Sequence, residues 1–158
     1  MRNLGELNIN EEGVPVKRPP PSAEEVAAFE KRFSIKLPEM YLSLLNHANG
    51  GHPEADSIEP VGGLGAGSQW AVDTFFFLSN DRETDGSLWR EMEIWGPILG
   101  KAALPFARDA CDNVFFIDMS SASGSIKVCI HDEDFRVRDM AVSFEDFIDR
   151  LFVDPEDI

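Results

Sequence analysis

SAEEVAAFEKRFSIKLPEMYLSLLNHANGG, residues 22–51, decides how this chain is read. It opens with a capping box: Ser22 is placed to accept from the Glu25 backbone N–H, and the Glu25 side chain to reach back. Val26, Phe29 and Phe33 then fall on one helical face. The Leu37-Pro38 step interrupts the pattern, and Pro38 suits the first position of a second helix. Tyr41, Leu44, Leu45 and Ala48 continue at helical spacing. Asn49-Gly50-Gly51 supplies left-handed residues that stop it.

Outward from this pair of helices the pattern changes. Residues 1–21 have little periodicity and end in Pro19-Pro20-Pro21. They read as an N-terminal arm with one short strand near residues 7–9 and a stiff lead-in to the first helix. Residues 50–68 are loop-rich, with a short strand around 58–61. Residues 72–78 read as a strand, and Phe75, Phe76 and Phe77 in a row imply burial on both faces. An acidic turn follows at 81–86. Leu88, Trp89, Met92 and Trp95 suit a short helix that Gly96-Pro97 ends.

The second half reads as strands. Residues 113–119 form a central one. Ile126, Val128 and Ile130 alternate with Lys127, Cys129 and His131, the period of a half-buried strand. A turn at 132–134 leads into another strand over 136–142. Ser143 caps a last helix whose first turn carries Glu145 and Asp146 and whose apolar face is Phe144, Phe147, Ile148, Leu151 and Phe152. The order predicts a single α+β domain: a mostly antiparallel central sheet packed by N-terminal helices and a C-terminal helix. The expected organisation is an arm over 1–21, the domain over 22–153 and an acidic tail over 154–158.

The helix–LPxxY–helix–NGG opening resembles the SUKH superfamily, which includes the fungal cell-wall-synthesis regulator and many bacterial immunity proteins. ALPFARDACDNVFFIDMS, residues 103–120, is similar to the family's "lPiA.d..gn.i.id" segment through Leu104, Pro105, Ala107, Asp109, Asn113, Ile117 and Asp118. GSIKVCIHDED, from Gly124, resembles the next strand with its polar end. VSFEDFIDRLF, from Val142, resembles the closing helix. The resemblance runs from about Ser22 to about Phe152. One departure is local: the family often has glycine just before the Asn113 position, where Cys111-Asp112 stand here. The resemblance implies a binder rather than an enzyme, and for a bacterial member a protein that neutralises a cognate toxin. A scaffold or regulator like the fungal relative is the alternative; its usual long disordered extensions are missing from this sequence.

Bulk properties set limits. A chain of 158 residues, 43% apolar with twelve Phe, is long enough for one real core. No apolar run reaches the length of a membrane span and no signal-peptide core opens the chain, so a cytoplasmic protein without membrane contact is expected. Cys111 and Cys129 do not read as a secreted disulfide framework. The formal charge is −15, from 29 acidic and 14 basic side chains. Direct nucleic-acid binding is disfavoured, because phosphate affinity comes from Lys and Arg. A basic partner is favoured by charge, although charge alone serves solubility equally well. The resemblance turns that balance towards a basic toxin, such as a nuclease domain.

No constellation for chemistry emerges. The GGLGAG run at 62–67 lacks the Lys-Ser/Thr of a nucleotide loop. His47, His52 and His131 stand singly, without metal-ligand spacing, and a His131–Asp132–Asp134 site competes with a plain solvated turn. Neither catalytic residues nor a cofactor or metal is expected. Tyr41 and the Asn-Gly-Gly turn read as scaffold, with the Tyr41 hydroxyl near a polar partner. The candidate partner-binding surface is acidic and loop-borne: Glu54, Asp56 and Glu59; Asp81, Glu83 and Asp85; Asp132, Glu133 and Asp134; with Trp70 as an aromatic anchor.

Overall fold

The computed structural model describes residues 1–10, 17–62 and 69–157. Most of the GGLGAG run lies outside them. Among the described residues the helices are α1 (Ala23–Phe33), α2 (Glu39–His47), α3 (Leu88–Leu99) and α4 (Phe144–Arg150). The strands are β1 (Ser57–Ile58), β2 (Trp70–Ala71), β3 (Thr74–Phe75), β4 (Ala103–Arg108), β5 (Val114–Asp118), β6 (Ile126–Ile130) and β7 (Arg136–Ala141). β3 to β7 form a five-stranded sheet in sequence order, every neighbour antiparallel, and β1 pairs with β2 apart from it. The fold is α+β, as the order of elements predicts.

The local signals at residues 22–51 are realised. Ser22 Oγ accepts from Glu25 N and Glu25 Oε2 accepts from Ser22 N, so both halves of the capping box are made. Pro38 sits one place earlier than expected, as the N-cap of α2 with ψ 143°, and its carbonyl accepts from Leu42 N. The stop is built differently from the expectation too. α2 ends at an extended Ala48, and only Gly50 (φ 88°) and Gly51 (φ 117°) are left-handed. Asn49 acts through its side chain instead. It is 5% exposed, accepts from Leu78 N at 2.8 Å and donates to Leu78 O and Pro19 O. A side-chain amide here replaces a strand neighbour for the chain beyond β3.

Three further expectations change. Residues 7–9 are not a strand: a 3-10 turn spans Leu4–Leu7 and drives Leu7 and Ile9 into the core. The aromatic run is not one continuous strand. β3 covers only Thr74–Phe75, and Phe75 and Phe77 make isolated bridges to Gly51 and Ser87. Phe75, Phe76 and Phe77 are nevertheless all buried. α3 does not stop at Gly96-Pro97 but runs to Leu99 and ends at left-handed Gly100. Pro97 lies in the last turn, where it forgoes one backbone bond and no further turn follows to be disrupted.

The core joins α2 and α4 to one face of the sheet. Phe106 lies 5.3 Å from Phe147 and 5.4 Å from Phe144, ring centre to ring centre, and Phe115 lies 5.6 Å from Phe147. Phe144, Phe147, Ile148 and Leu151 are buried, as the closing-helix pattern predicts, while Phe152 leaves the helix to bridge Ser57. A bulge between Pro105 and Ala107 lets Phe106 and Ala107 share one partner, Phe115. Tyr41 packs edge-on to Phe106 and Phe144, but its hydroxyl finds no polar partner. That corrects the expected hydrogen bond: the ring is placed by aromatic packing alone, and its burial pushes the phenol pKa far up.

Candidate functional site

Strand register gathers charge at one end of the sheet. Thr74, Arg108, Val114, Cys129 and Val137 form one row across β3 to β7. Whatever follows β4 and β6, or precedes β3, β5 and β7, extends beyond that row. These residues include Asp73, Asp109, Asp112, Asp132, Glu133 and Asp134. Asp85 joins them, because its carboxylate takes a two-pronged pair from Arg108 at 2.9 and 2.8 Å. Asp85 and the acidic turn at 132–134 thus lie at the same end of the sheet, its acidic rim, about 10–15 Å apart by strand spacing.

Many of the loop acids also build their own turns. Asp81 Oδ1 accepts from the backbone N–H of Glu83 and Thr84, and Oδ2 from Thr84 Oγ1. Those bonds hold its carboxyl below the usual range. Asp85 is held low chiefly by the Arg108 hydrogen bonds. Asp109 accepts from Cys111 N, Asn113 N and Asn113 Nδ2, and Asn113 Oδ1 in turn accepts from His131 N. His131 Nε2–H donates to the Cys111 carbonyl at 2.6 Å, which ties the β4–β5 turn to the β6–β7 turn. Where the resemblance expects glycine, Asp112 adopts the left-handed backbone itself, φ 63°. Asp is one of the few residues that tolerate this conformation, so the turn keeps the shape that a glycine would allow.

The other expected residues fall elsewhere. Asp56 is close to the rim: its carbonyl accepts from Val72 N and its carboxylate from Ser57 Oγ. Glu54 accepts from Asn8 Nδ2, on the N-terminal side. Glu59 lies by α4, its carbonyl bonded to Arg150. Trp70 is half-buried in β2 opposite Ile58. The structure therefore brings Asp56, Asp85 and Asp132 to Asp134 towards one end; Asp81 and Glu83 sit further along the turn, bonded to Ser87 and Arg90 through their carbonyls, and Glu54, Glu59 and Trp70 lie elsewhere. Asp73, Asp109 and Asp112 were missed because an acid beside a strand looks like any solvated charge until pairing aligns the strand ends.

Behind the rim, Glu91 of α3 is 4% exposed and accepts from Trp95 Nε1 at 3.1 Å. Burial pushes its carboxyl up, against the pull of the Gly86 backbone, Trp95 and Arg108. Trp95 in turn meets Phe135 of the β6–β7 turn edge-on at 6.4 Å. Cys111 and Cys129 are both free; Cys129 is buried, and desolvation raises its thiol pKa. Among the described residues no three His, Cys, Asp or Glu side chains converge as metal ligands, and no helix is long and apolar enough to cross a membrane.

The family model described as the SMI1 / KNR4 family (SUKH-1) matches residues 20–150. No curated protein matches the chain.

Proposed function

Because the chain belongs to the SMI1 / KNR4 family (SUKH-1), we propose that it is a protein-binding module that works as an immunity protein. It binds a cognate toxin stoichiometrically and blocks it, without catalysis and without a cofactor. The observation that carries this reading is the acidic rim. A net charge of −15 on a folded domain attracts a basic surface from a distance. Asp132, Glu133 and Asp134 present part of that charge on one exposed turn. A nuclease toxin has a basic groove for phosphate, and an acidic rim laid across it would exclude the substrate.

The test is co-expression with the product of the adjacent gene. The expected result is a complex that survives size-exclusion chromatography and relief of that protein's toxicity. A toxic neighbour that this protein neither binds nor neutralises would overturn the immunity reading. The second reading, a regulator that recruits other proteins as the fungal relative does, is favoured by the same family membership. It predicts binding to a non-toxic neighbour.

A further inference from the structure

Among the described residues eight large apolar side chains are exposed, and four of them belong to two neighbouring elements. Ile94 (44%) and Ile98 (41%) lie one turn apart on α3, and Phe135 (45%) and Val137 (44%) lie on the β6–β7 hairpin. The contact between Trp95 and Phe135 joins the two. Pro97, also exposed, adds to the α3 side. From Ile94 to Gly100 the helix carries no charge, in a chain that is 27% charged.

Phe135 is held in an unfavourable backbone. Asp134 (φ 55°) and Phe135 (φ 58°) are both left-handed, and Arg136 N closes the turn onto Glu133 O. Asn and Gly suit the second left-handed place in such a turn, whereas a bulky aromatic there costs about 1–3 kcal/mol. The contact with Trp95 accounts for the covered part of the ring, but not for the 45% that stays in water. The same turn carries net negative charge: Asp132, Glu133 and Asp134 are exposed immediately before Phe135, and Arg136 after it lies 3.8 Å from Glu133.

We propose that Phe135, Val137, Ile94 and Ile98 form the apolar centre of the partner-binding surface, with Asp132 to Asp134 as its charged rim. The occupant is a basic protein segment that presents aliphatic or aromatic side chains between Lys and Arg. A second copy of this chain is disfavoured, because each would bring a charge of −15 to the contact. Interfaces of this build place an aromatic anchor at the centre and polar groups around it. The inference rests on the protein-binding reading above and names the surface that serves it.

Two measurements separate the surface from that reading. The first titrates a synthetic Lys/Leu amphipathic peptide, and a Glu/Leu counterpart, into the nitrogen-15-labelled full chain. Amide shifts at residues 94–98 and 132–137, seen with the Lys/Leu peptide only and reduced at least tenfold in affinity by Phe135→Asn, are expected. Shifts elsewhere, no shifts, or shifts unchanged in the variant would overturn the surface. Concentration-dependent dimerisation through residues 94–98 and 135 would overturn the basic occupant. The second measurement uses the adjacent gene product. If it binds the native chain, Phe135→Asn and Ile98→Glu should each weaken it tenfold or more while the melting temperature stays within a few degrees. Equal affinity in both variants would overturn the surface even with a bound partner. No binding to the native chain would count against the immunity reading alone, and the peptide measurement would then decide the surface.

Discussion

Tyr41 and Glu91 are buried polar side chains, and each makes a residue-level prediction. The Tyr41 hydroxyl has no partner, so Tyr41→Phe removes an unsatisfied group and keeps the ring against Phe106 and Phe144. Urea unfolding should show stability unchanged or raised by about 1–2 kcal/mol. A fall of more than about 1 kcal/mol would show that the hydroxyl is satisfied in solution. Glu91 has its carboxyl pKa raised by burial. The folded state then holds the proton more tightly than the unfolded chain. The stabilisation is complete below the ordinary carboxylate range and is lost as pH rises through it to the raised folded value. Glu91→Gln keeps an acceptor for Trp95 Nε1 and cannot ionise. Its stability relative to the native chain should therefore rise as the pH is raised upwards from the ordinary carboxylate range. A constant difference over those pH values would mean that Glu91 titrates normally.

The elements are joined by few but specific devices. Asn49 lies between α2 and the chain after β3 and pairs with both backbone groups of Leu78. Asn49→Ala should cost about 2–4 kcal/mol, because it strands a buried N–H and a buried carbonyl. Gly51 is held at φ 117°, where a side chain is strained, and a Cβ there would come within 2.0 Å of the Asn10 side-chain amide and displace it. The scaffold reading of the Asn-Gly-Gly turn is thus given its physical reason: the turn docks α2 onto β3 through Gly51 and Phe75. α4 is anchored by Phe147, which is fully buried against Phe106 and Phe115. Phe147→Ala should cost about 3–5 kcal/mol in the same unfolding measurement. A loss under about 1 kcal/mol would place α4 off the sheet.

For the molecule as a whole, charge predicts kinetics more than affinity. Association with a basic partner should approach about 10⁸ M⁻¹s⁻¹ at low ionic strength and fall steeply with salt, while dissociation changes less. The charges to reverse follow from what each carboxylate does. Asp81 and Asp85 build their turn and hold Arg108, so reversing them would disturb folding as well as field. Asp132 and Asp134 are exposed on the rim. Their reversal to Lys should slow association at unchanged melting temperature. Reversal of Glu59 and Glu156, which lie away from the rim, should do less. Equal slowing by both sets, in stopped-flow measurements at two salt concentrations, would mean that only net charge matters.

The sequence by itself determined what depends on neighbours along the chain. The Ser22 and Ser143 caps, the apolar stripe of α4, the alternation of β6 and the order of elements are all local, and together with the quoted motifs they sufficed for fold class and family. It also supplied the acidic loops, because charge is a property of composition. Only the tertiary structure decided which loops meet. Register aligned the ends of β3 to β7, gathered Asp85 with Asp132 to Asp134 and separated Glu59 and Trp70 from them. It likewise turned Phe135, unremarkable within a polar turn, into an exposed left-handed aromatic against Trp95. Exposure and cross-strand position are set by pairing between segments far apart in sequence, and no window of adjacent residues carries that information.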